Sequence, residues 1–128
     1  MKKTFILSLM ALILLTACKK DKEEISLKGK WTIDNAVGKE YVNGTLTGTT
    51  TEPGDGTTMD FQNNGNVVIT SPGFPPESYP YTIKPDSKVE FDGDTYEVRN
   101  LAVSTVTLFI RLDFSPGDYD EIFINLKR

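Results

Sequence analysis

Histidine is absent from this 128-residue sequence, and cysteine occurs once, as Cys18. Without histidine the chain cannot build a histidine-based catalytic triad or a zinc site with histidine ligands. One cysteine cannot form an internal disulfide, so a folded domain must be stabilised by packing alone. The net charge is -4, and the basic residues cluster only near the N-terminus, from Lys19 to Lys22. Because nucleic-acid binding needs a concentrated positive patch in the folded domain, we expect no nucleic acid among the partners.

The first 17 residues have the layout of a secretory signal peptide. Lys2 and Lys3 form a positive start, an apolar run covers residues 5–15, and the small residues Thr16 and Ala17 follow. The run has 11 residues, short of the roughly 20 that span a bilayer, so we predict a cleaved signal. Removing residues 1–17 takes Lys2 and Lys3 from the 14 basic residues, which leaves 12 basic and 18 acidic residues and a net charge of -6.

The end of this segment, Leu15-Thr16-Ala17-Cys18, resembles the lipobox of bacterial lipoproteins. The resemblance implies that the Cys18 thiol accepts a diacylglyceryl group, and two or three acyl chains give stable membrane anchoring. Residues 18–26 are then predicted to be a lipidated, charged tether, because high charge favours a solvated chain. Lipoproteins of the Bacteroides group often carry a similar charged stretch that directs them to the outer face of the outer membrane. We therefore expect a cell-envelope lipoprotein of the outer membrane, on its periplasmic or its cell-surface face.

From Leu27 onward the sequence alternates with a period of two. In the segment 105–114 every second residue from Val106 to Phe114 is apolar, which is typical of a half-buried strand. Asn-Gly and Asp-Gly pairs at residues 64–65 and 92–93 predict tight hairpins, because both residue types tolerate positive φ. The pattern predicts eight or nine strands, at about residues 29–37, 40–47, 57–62, 66–70, 79–84, 88–91, 95–101, 104–114 and 119–127.

The predicted fold is all-β, an antiparallel up-and-down meander of eight or nine strands in one domain, residues 27–128. Such a meander can close into a small barrel or form a small β-sandwich. We favour the barrel, because closure removes exposed strand edges. Pro80 cannot donate to a strand ladder, so it predicts an edge position or a bulge. The threonines between Thr45 and Thr51 fit both a strand and a flexible loop.

Three short motifs carry a family resemblance. In the segment 27–33, Gly29 precedes Trp31 by two residues, as in the Gly-X-Trp opening strand of lipocalin-like proteins. The segments 58–67 and 96–108 are similar to hairpins of the small lipocalin-like lipoproteins of the Bacteroides group. The resemblance implies a barrel closed at one end by Trp31. It also implies a domain that binds a small apolar or amphipathic ligand.

Four aromatic residues are candidate ligand contacts. Trp31 could meet a ligand at the barrel floor, although core packing is the simpler interpretation of so large an apolar side chain. Phe74, Tyr79 and Tyr81 surround the proline-rich loop 72–80. They could form a rim for a ligand, a partner or a glycan, or pack beneath the loop.

Carboxylates also cluster in the sequence. A glycosidase needs two carboxylates across a cleft, and oxygen-rich loops can hold calcium, but neither cluster has a full ligand-loop pattern. Without histidine or a Ser-X-X-Lys motif, no nucleophile has an activating partner. We therefore expect no catalytic residue, no metal site, no cofactor and no enzymatic activity. The clustered residues are Asp92 and Asp94, and further along Asp113, Asp118, Asp120 and Glu121.

Two functions follow from the predicted barrel. One is a lipid-anchored protein that holds a small apolar or amphipathic ligand. The other is a barrel filled with side chains, as small barrels often are, which acts as a protein-interaction or accessory module at the outer membrane. Large inward side chains favour a modest cavity at best, and the inward set is mostly large. It comprises Trp31, Ile33, Met59, Phe61, Tyr96, Val98, Leu108, Ile110, Leu112, Ile122 and Ile124.

Overall fold

The computed structural model describes residues 25–128. The predicted signal peptide, Cys18 and the tether up to residue 24 lie outside the described residues. Within residues 25–128 there is no helix that is long and apolar enough to cross a membrane. The strands of this part of the chain are β1 (Gly29–Val42), β2 (Thr45–Pro53), β3 (Thr58–Phe61), β4 (Asn66–Thr70), β5 (Glu77–Lys84), β6 (Lys88–Phe91), β7 (Asp94–Arg99), β8 (Thr105–Ser115) and β9 (Asp118–Lys127).

These strands form one antiparallel sheet in the order β2-β1-β3-β4-β5-β6-β7-β8-β9, and β1 also pairs with β9. The last pairing closes β1 and β3 to β9 into an eight-stranded barrel, and β2 is an additional strand. The all-β meander is therefore confirmed, and the fold is the closed barrel rather than the sandwich. On the edge that does not face β9, β1 pairs with two strands in succession. Residues 29–32 pair with β3, and residues 35–42 pair with β2.

Large side chains fill the barrel interior. Trp31, Val67, Val89 and Leu108 have no exposed surface, and the Trp31 indole N–H donates a hydrogen bond of 2.7 Å to the carbonyl oxygen of Leu27. A filled interior is usual for a barrel of this strand number. The buried cluster consists of Leu27, Trp31, Met59, Phe61, Val67, Val89, Phe91, Val106, Leu108 and Leu126.

The first hairpin differs from the prediction. The predicted strands at 29–37 and 40–47 are wrong there, because β1 continues to Val42 and the turn is formed by Asn43 and Gly44. Both turn residues have positive φ, 52° and 76°, which is the geometry that makes Asn-Gly a preferred two-residue turn. The threonine run that follows is therefore a strand, β2, and not a loop.

Pro80 lies where β5 changes partners. Residues 77–80 pair with β4, and residues 81–84 pair with β6. Pro80 thus belongs to a stretch of β5 with a neighbour on one side, which a residue without an N–H tolerates. This position agrees with the edge expected from the sequence.

The barrel has two unlike ends. The described chain begins at one of them, which we call the basal end. It comprises residues 25–28, the turns 62–65, 85–87 and 100–104, and Arg128. The Arg128 guanidinium holds this end together, because it donates to the carbonyl oxygens of Ser26, Lys28 and Val103 at 3.1, 2.7 and 2.7 Å. It also lies over the Trp31 ring, 3.9 Å from the ring centroid.

Candidate functional site

At the end opposite the basal end, three strands continue beyond their neighbours. β7 pairs with β8 only through residues 107–109 of β8, and β3 pairs with β1 only through residues 29–32. The strands β1, β8 and β9 nevertheless run on, and β2 pairs alongside. We call this part the projecting sheet: β2 with residues 35–42 of β1, 110–115 of β8 and 118–123 of β9.

Hydrogen bonds tie the two hairpin turns at the tip of the projecting sheet. The Gly44 N–H donates to the Gly117 carbonyl oxygen at 2.8 Å, and the Asn43 N–H donates to the Asp118 carboxylate at 3.0 Å. The Ser115 hydroxyl donates to the same carboxylate at 2.8 Å. The Asn43 N–H, followed by the Ser115 hydroxyl, lowers the pKa of Asp118 below its ordinary value of 3.8. The ionised Asp118 carboxylate therefore joins the two turns at neutral pH.

The barrel exterior carries cross-strand aromatic pairs, one where the projecting sheet begins and one on its outer face. Phe109 lies opposite Phe123, with ring centroids 5.0 Å apart. Further toward the tip, Tyr119 lies opposite Tyr41, and the two rings stack at 4.5 Å with an interplanar angle of 14°. Paired aromatics across strands stabilise a sheet beyond the area that they bury. Phe109 is 7% exposed although it faces outward.

Cations cover these rings. The Arg99 guanidinium lies 3.6 Å from the Phe109 centroid, and the Lys39 ammonium lies 5.3 Å from the Phe123 centroid. Between Lys39 and Arg99 is an open cleft of about 310 Å³ with Val37 and Phe123 among its lining residues. An apolar floor beside cations is suited to an amphipathic anion. Because the Arg99 guanidinium also pairs with the Glu97 carboxylate at 2.7 Å, most of the attraction for an anion comes from Lys39.

The inner face of the projecting sheet, which continues the barrel interior, is acidic and partly apolar. Across the strands, Gly48 pairs with Glu40, and Glu40 pairs with Asp120. Like charges directly opposite each other on one face destabilise a sheet. In the next row, Thr50 pairs with Gly38, which pairs with Ile122. Together these residues line a groove of about 230 Å³.

Gly38 and Gly48 have no structural need for glycine that we can identify in the described chain. Neither has a positive φ, and a Cβ at either position would meet no atom within 4 Å. Glycine within a strand weakens it, and often marks a place where a ligand or another backbone approaches closely. Gly54 shows the contrast, because its Cβ would lie 2.0 Å from the carbonyl oxygen of Ile33.

The free edge of the projecting sheet is β2. No other strand of the described chain pairs with its outer side, and all nine of its residues are exposed. Large apolar side chains surround the tip: Val42 is 40%, Leu46 is 48% and Phe114 is 68% exposed. An unpaired edge with adjacent apolar side chains is a typical site for adding a strand from another chain.

The four candidate ligand contacts do not form one site. Trp31 is in the core with no exposed surface, and the Tyr81 ring packs edge-on against Phe61 while its hydroxyl donates to the Gln62 carbonyl oxygen. The Tyr79 hydroxyl donates to the Glu77 carboxylate, which raises the pKa of Tyr79 to about 12. Phe74 is 73% exposed. Three of the four are thus core residues or packed against the core, and Phe74 is separate.

The carboxylate clusters are also separated by the fold. Asp92 and Gly93 have φ of 52° and 79° and form a tight turn. Asp118 accepts hydrogen bonds at the tip, and Asp120 and Glu121, being adjacent on β9, point to opposite faces of the sheet. Within residues 25–128 no group of three or more potential metal ligands is placed to hold an ion.

Sequence reasoning missed the projecting sheet. The alternation within residues 105–114 places Phe109 on the face opposite Val106 and Leu108, and its pairing with Phe123 depends on a register that the sequence does not give. Comparisons of the chain with protein-family models, with curated proteins and with solved structures found no match.

Proposed function

We propose that this chain is a lipid-anchored cell-envelope protein that binds a protein partner through the projecting sheet. The observation that carries the proposal is the combination of a filled barrel with a sheet whose unpaired edge strand is exposed along its whole length and whose other strands are only half-buried. A filled interior has no room for a deep ligand cup, which favours the interaction module. The lipobox-like segment ending at Cys18 supports anchoring at the outer membrane.

The chemistry of the inner face selects the partner. An added strand beside β2 would place alternate side chains on that face, next to Thr50, Gly48 and Thr45. Because Gly48 has no side chain, a lysine opposite it can extend across β2 toward Glu40 and Asp120. A positive charge there relieves the repulsion between the two carboxylates. The partner segment is therefore an extended peptide with basic residues at alternate positions.

A pair of short peptides tests this function. The first alternates lysine and valine, and the matched control alternates glutamate and valine. Nuclear magnetic resonance of the 15N-labelled mature chain, carrying Cys18→Ser, follows the amides of β2 and of residues 38–40. We expect shifts there with the lysine peptide and none with the glutamate peptide. Equal shifts with both peptides, or shifts confined to the barrel, would contradict the proposal.

Gly38→Ala separates binding from folding. Its methyl group meets no neighbour and removes the entropic disadvantage of glycine in a strand, so the stability is expected to stay the same or rise. The same methyl group lies on the groove floor and is expected to weaken lysine-peptide binding. Thr49→Ala on the opposite face of β2 is the control and should bind like the wild type.

A second function rests on the outer cleft between Lys39 and Arg99. Its apolar floor and flanking cations support binding of a small amphipathic anion. Native mass spectrometry of the mature chain after exposure to a membrane-lipid extract tests this function. A stoichiometric adduct that Lys39→Gln removes would support it, and a bare protein mass would count against it.

A further inference from the structure

The basal end has exposed apolar side chains on separate segments. Ile25 is 54%, Ile83 is 49% and Val103 is 45% exposed. Between the first two lies an open depression of about 380 Å³, with Leu27 and Leu101 among its lining residues. Apolar side chains grouped at one end of a small domain mark an interaction surface.

Basic residues surround this apolar surface. Lys84 and Lys88 line the depression, and Asp86 is the one acidic residue among the described residues that line it. Lys84 also forms an ion pair with Glu90 beside the depression. Lys28 and Arg128 adjoin them, since the Arg128 guanidinium donates to the Lys28 carbonyl oxygen. A surface of lysine and arginine around aliphatic side chains is suited to anionic lipid headgroups, which attract nearby cations.

The projecting sheet has the opposite charge. Lys39 and Arg111 are its two basic residues, and six acidic residues outnumber them. A negatively charged surface would therefore attract the basal end and repel the other end. The acidic residues are Glu40, Glu52, Asp113, Asp118, Asp120 and Glu121.

The covalent path to the proposed anchor begins at the same end. Seven residue steps separate Cys18 from Ile25, a distance of at most about 25 Å in a fully extended chain. β1 has 14 residues, so it carries the chain about 45 Å from the basal end to the tip. A lipid on Cys18 thus keeps the basal end near the bilayer, and lets the tip point away.

We infer that the basal end is a membrane-contact face that rests on a bilayer containing anionic phospholipid. Ile25, Ile83 and Val103 insert at the headgroup level, and the neighbouring lysines contact lipid phosphates. The barrel then stands on the bilayer and presents the projecting sheet to partners at a distance from it. The inference rests on the anchor at Cys18 that is part of the proposed function.

Hydrogen exchange on vesicles tests this face. The mature chain is coupled through Cys18, its single cysteine, to a maleimide phospholipid in vesicles of phosphatidylcholine with or without phosphatidylglycerol. We expect slower exchange at Asp86, Ser87 and residues 100–104 on the anionic vesicles, and unchanged exchange at the tip turns. Equal exchange at the basal turns on both vesicle types would overturn the inference.

Variants identify the residues responsible. Ile83→Ser with Lys84→Gln and Lys88→Gln is expected to abolish the protection, and to weaken binding of the uncoupled chain to anionic vesicles at least tenfold. Phe74→Ser with Arg111→Gln is the matched control, because Phe74 is 73% exposed and both residues lie away from the basal end, and it should keep both properties. Protection that survives in the basal variant would overturn the assignment.

The chemical coupling keeps the two proposals apart. It imposes an anchor whether or not cells lipidate Cys18, so a loss of basal protection speaks only against the membrane face. The mass of the mature chain recovered from cells tests the lipid on Cys18 separately. A mass without acyl chains would contradict the anchor and leave the vesicle result standing.

Discussion

Replacing Phe109 with alanine tests whether the outer-face aromatic pairs hold the projecting sheet to the barrel. Phe109 faces outward, yet only 7% of it is exposed. The reason is that the Arg99 guanidinium covers one side of the ring, 3.6 Å from the ring centroid, and Phe123 lies beside it. Removing a buried phenylalanine costs about 3–5 kcal/mol. Water can reach this outward-facing site after the change, so we expect the lower value, about 3 kcal/mol.

A loss of about 3 kcal/mol is a large fraction of the stability of a domain of this size, about 5–15 kcal/mol. It should lower the Tm by about 12–15 °C. Urea unfolding followed by circular dichroism measures the change in the free energy of unfolding. Phe114→Ala on the same strand is the matched control, because Phe114 is 68% exposed and its loss should cost no more than about 0.5 kcal/mol.

A double-mutant cycle isolates the contact itself. Phe109→Ala and Phe123→Ala should cost less together than the sum of the two single changes, by about 1 kcal/mol. A cost for Phe109→Ala no larger than that for Phe114→Ala, or strict additivity with Phe123→Ala, would refute this account of how the sheet is held.

Three further changes probe other parts of the structure. Gly54→Ala should reduce the free energy of unfolding by more than about 2 kcal/mol, because its Cβ would lie 2.0 Å from the Ile33 carbonyl oxygen; a neutral result in urea unfolding would contradict the close approach. The tip should loosen in acid, because the pKa of Asp118 is lowered in the folded state; its contribution is complete above the ordinary value of 3.8 and is lost as pH falls through the lower folded value. Hydrogen exchange at Asn43 measures this, and Asp118→Asn should exchange faster than the wild type at neutral pH. Arg128→Ala should cost about 1–2 kcal/mol, since its guanidinium donates to three carbonyl oxygens and covers Trp31; near-ultraviolet circular dichroism should report the altered surroundings of Trp31, and an unchanged spectrum and stability would count against this role.

Local patterns were enough to predict the barrel. On β8, every second residue starting from Val106 faces the barrel interior, and Leu108 is fully buried there, as alternation predicts. The Asp-Gly turn at residues 92–93 also formed where the pair occurs. The first hairpin differs from the prediction because its turn is the Asn-Gly pair at residues 43–44, where both residues have positive φ.

The projecting sheet could not be predicted in this way. Alternation assigns Ile110, Leu112 and Ile122 to the inward face, and they do share it with Leu108. They are nevertheless absent from the buried cluster, because β3 and β7 end before reaching them. Whether an inward face is covered depends on the lengths and registers of distant strands, which the sequence of one strand does not contain.

Photo-crosslinking in the native host tests the central claim most directly. A photoreactive phenylalanine analogue replaces Thr50 on the inner face of the projecting sheet, and in a second strain it replaces the exposed Thr82 on β5 of the barrel. The account predicts a crosslinked protein adduct of one mass from position 50 and none from position 82. Adducts from position 82 alone, or from neither position, would contradict the claim that the projecting sheet is the binding surface.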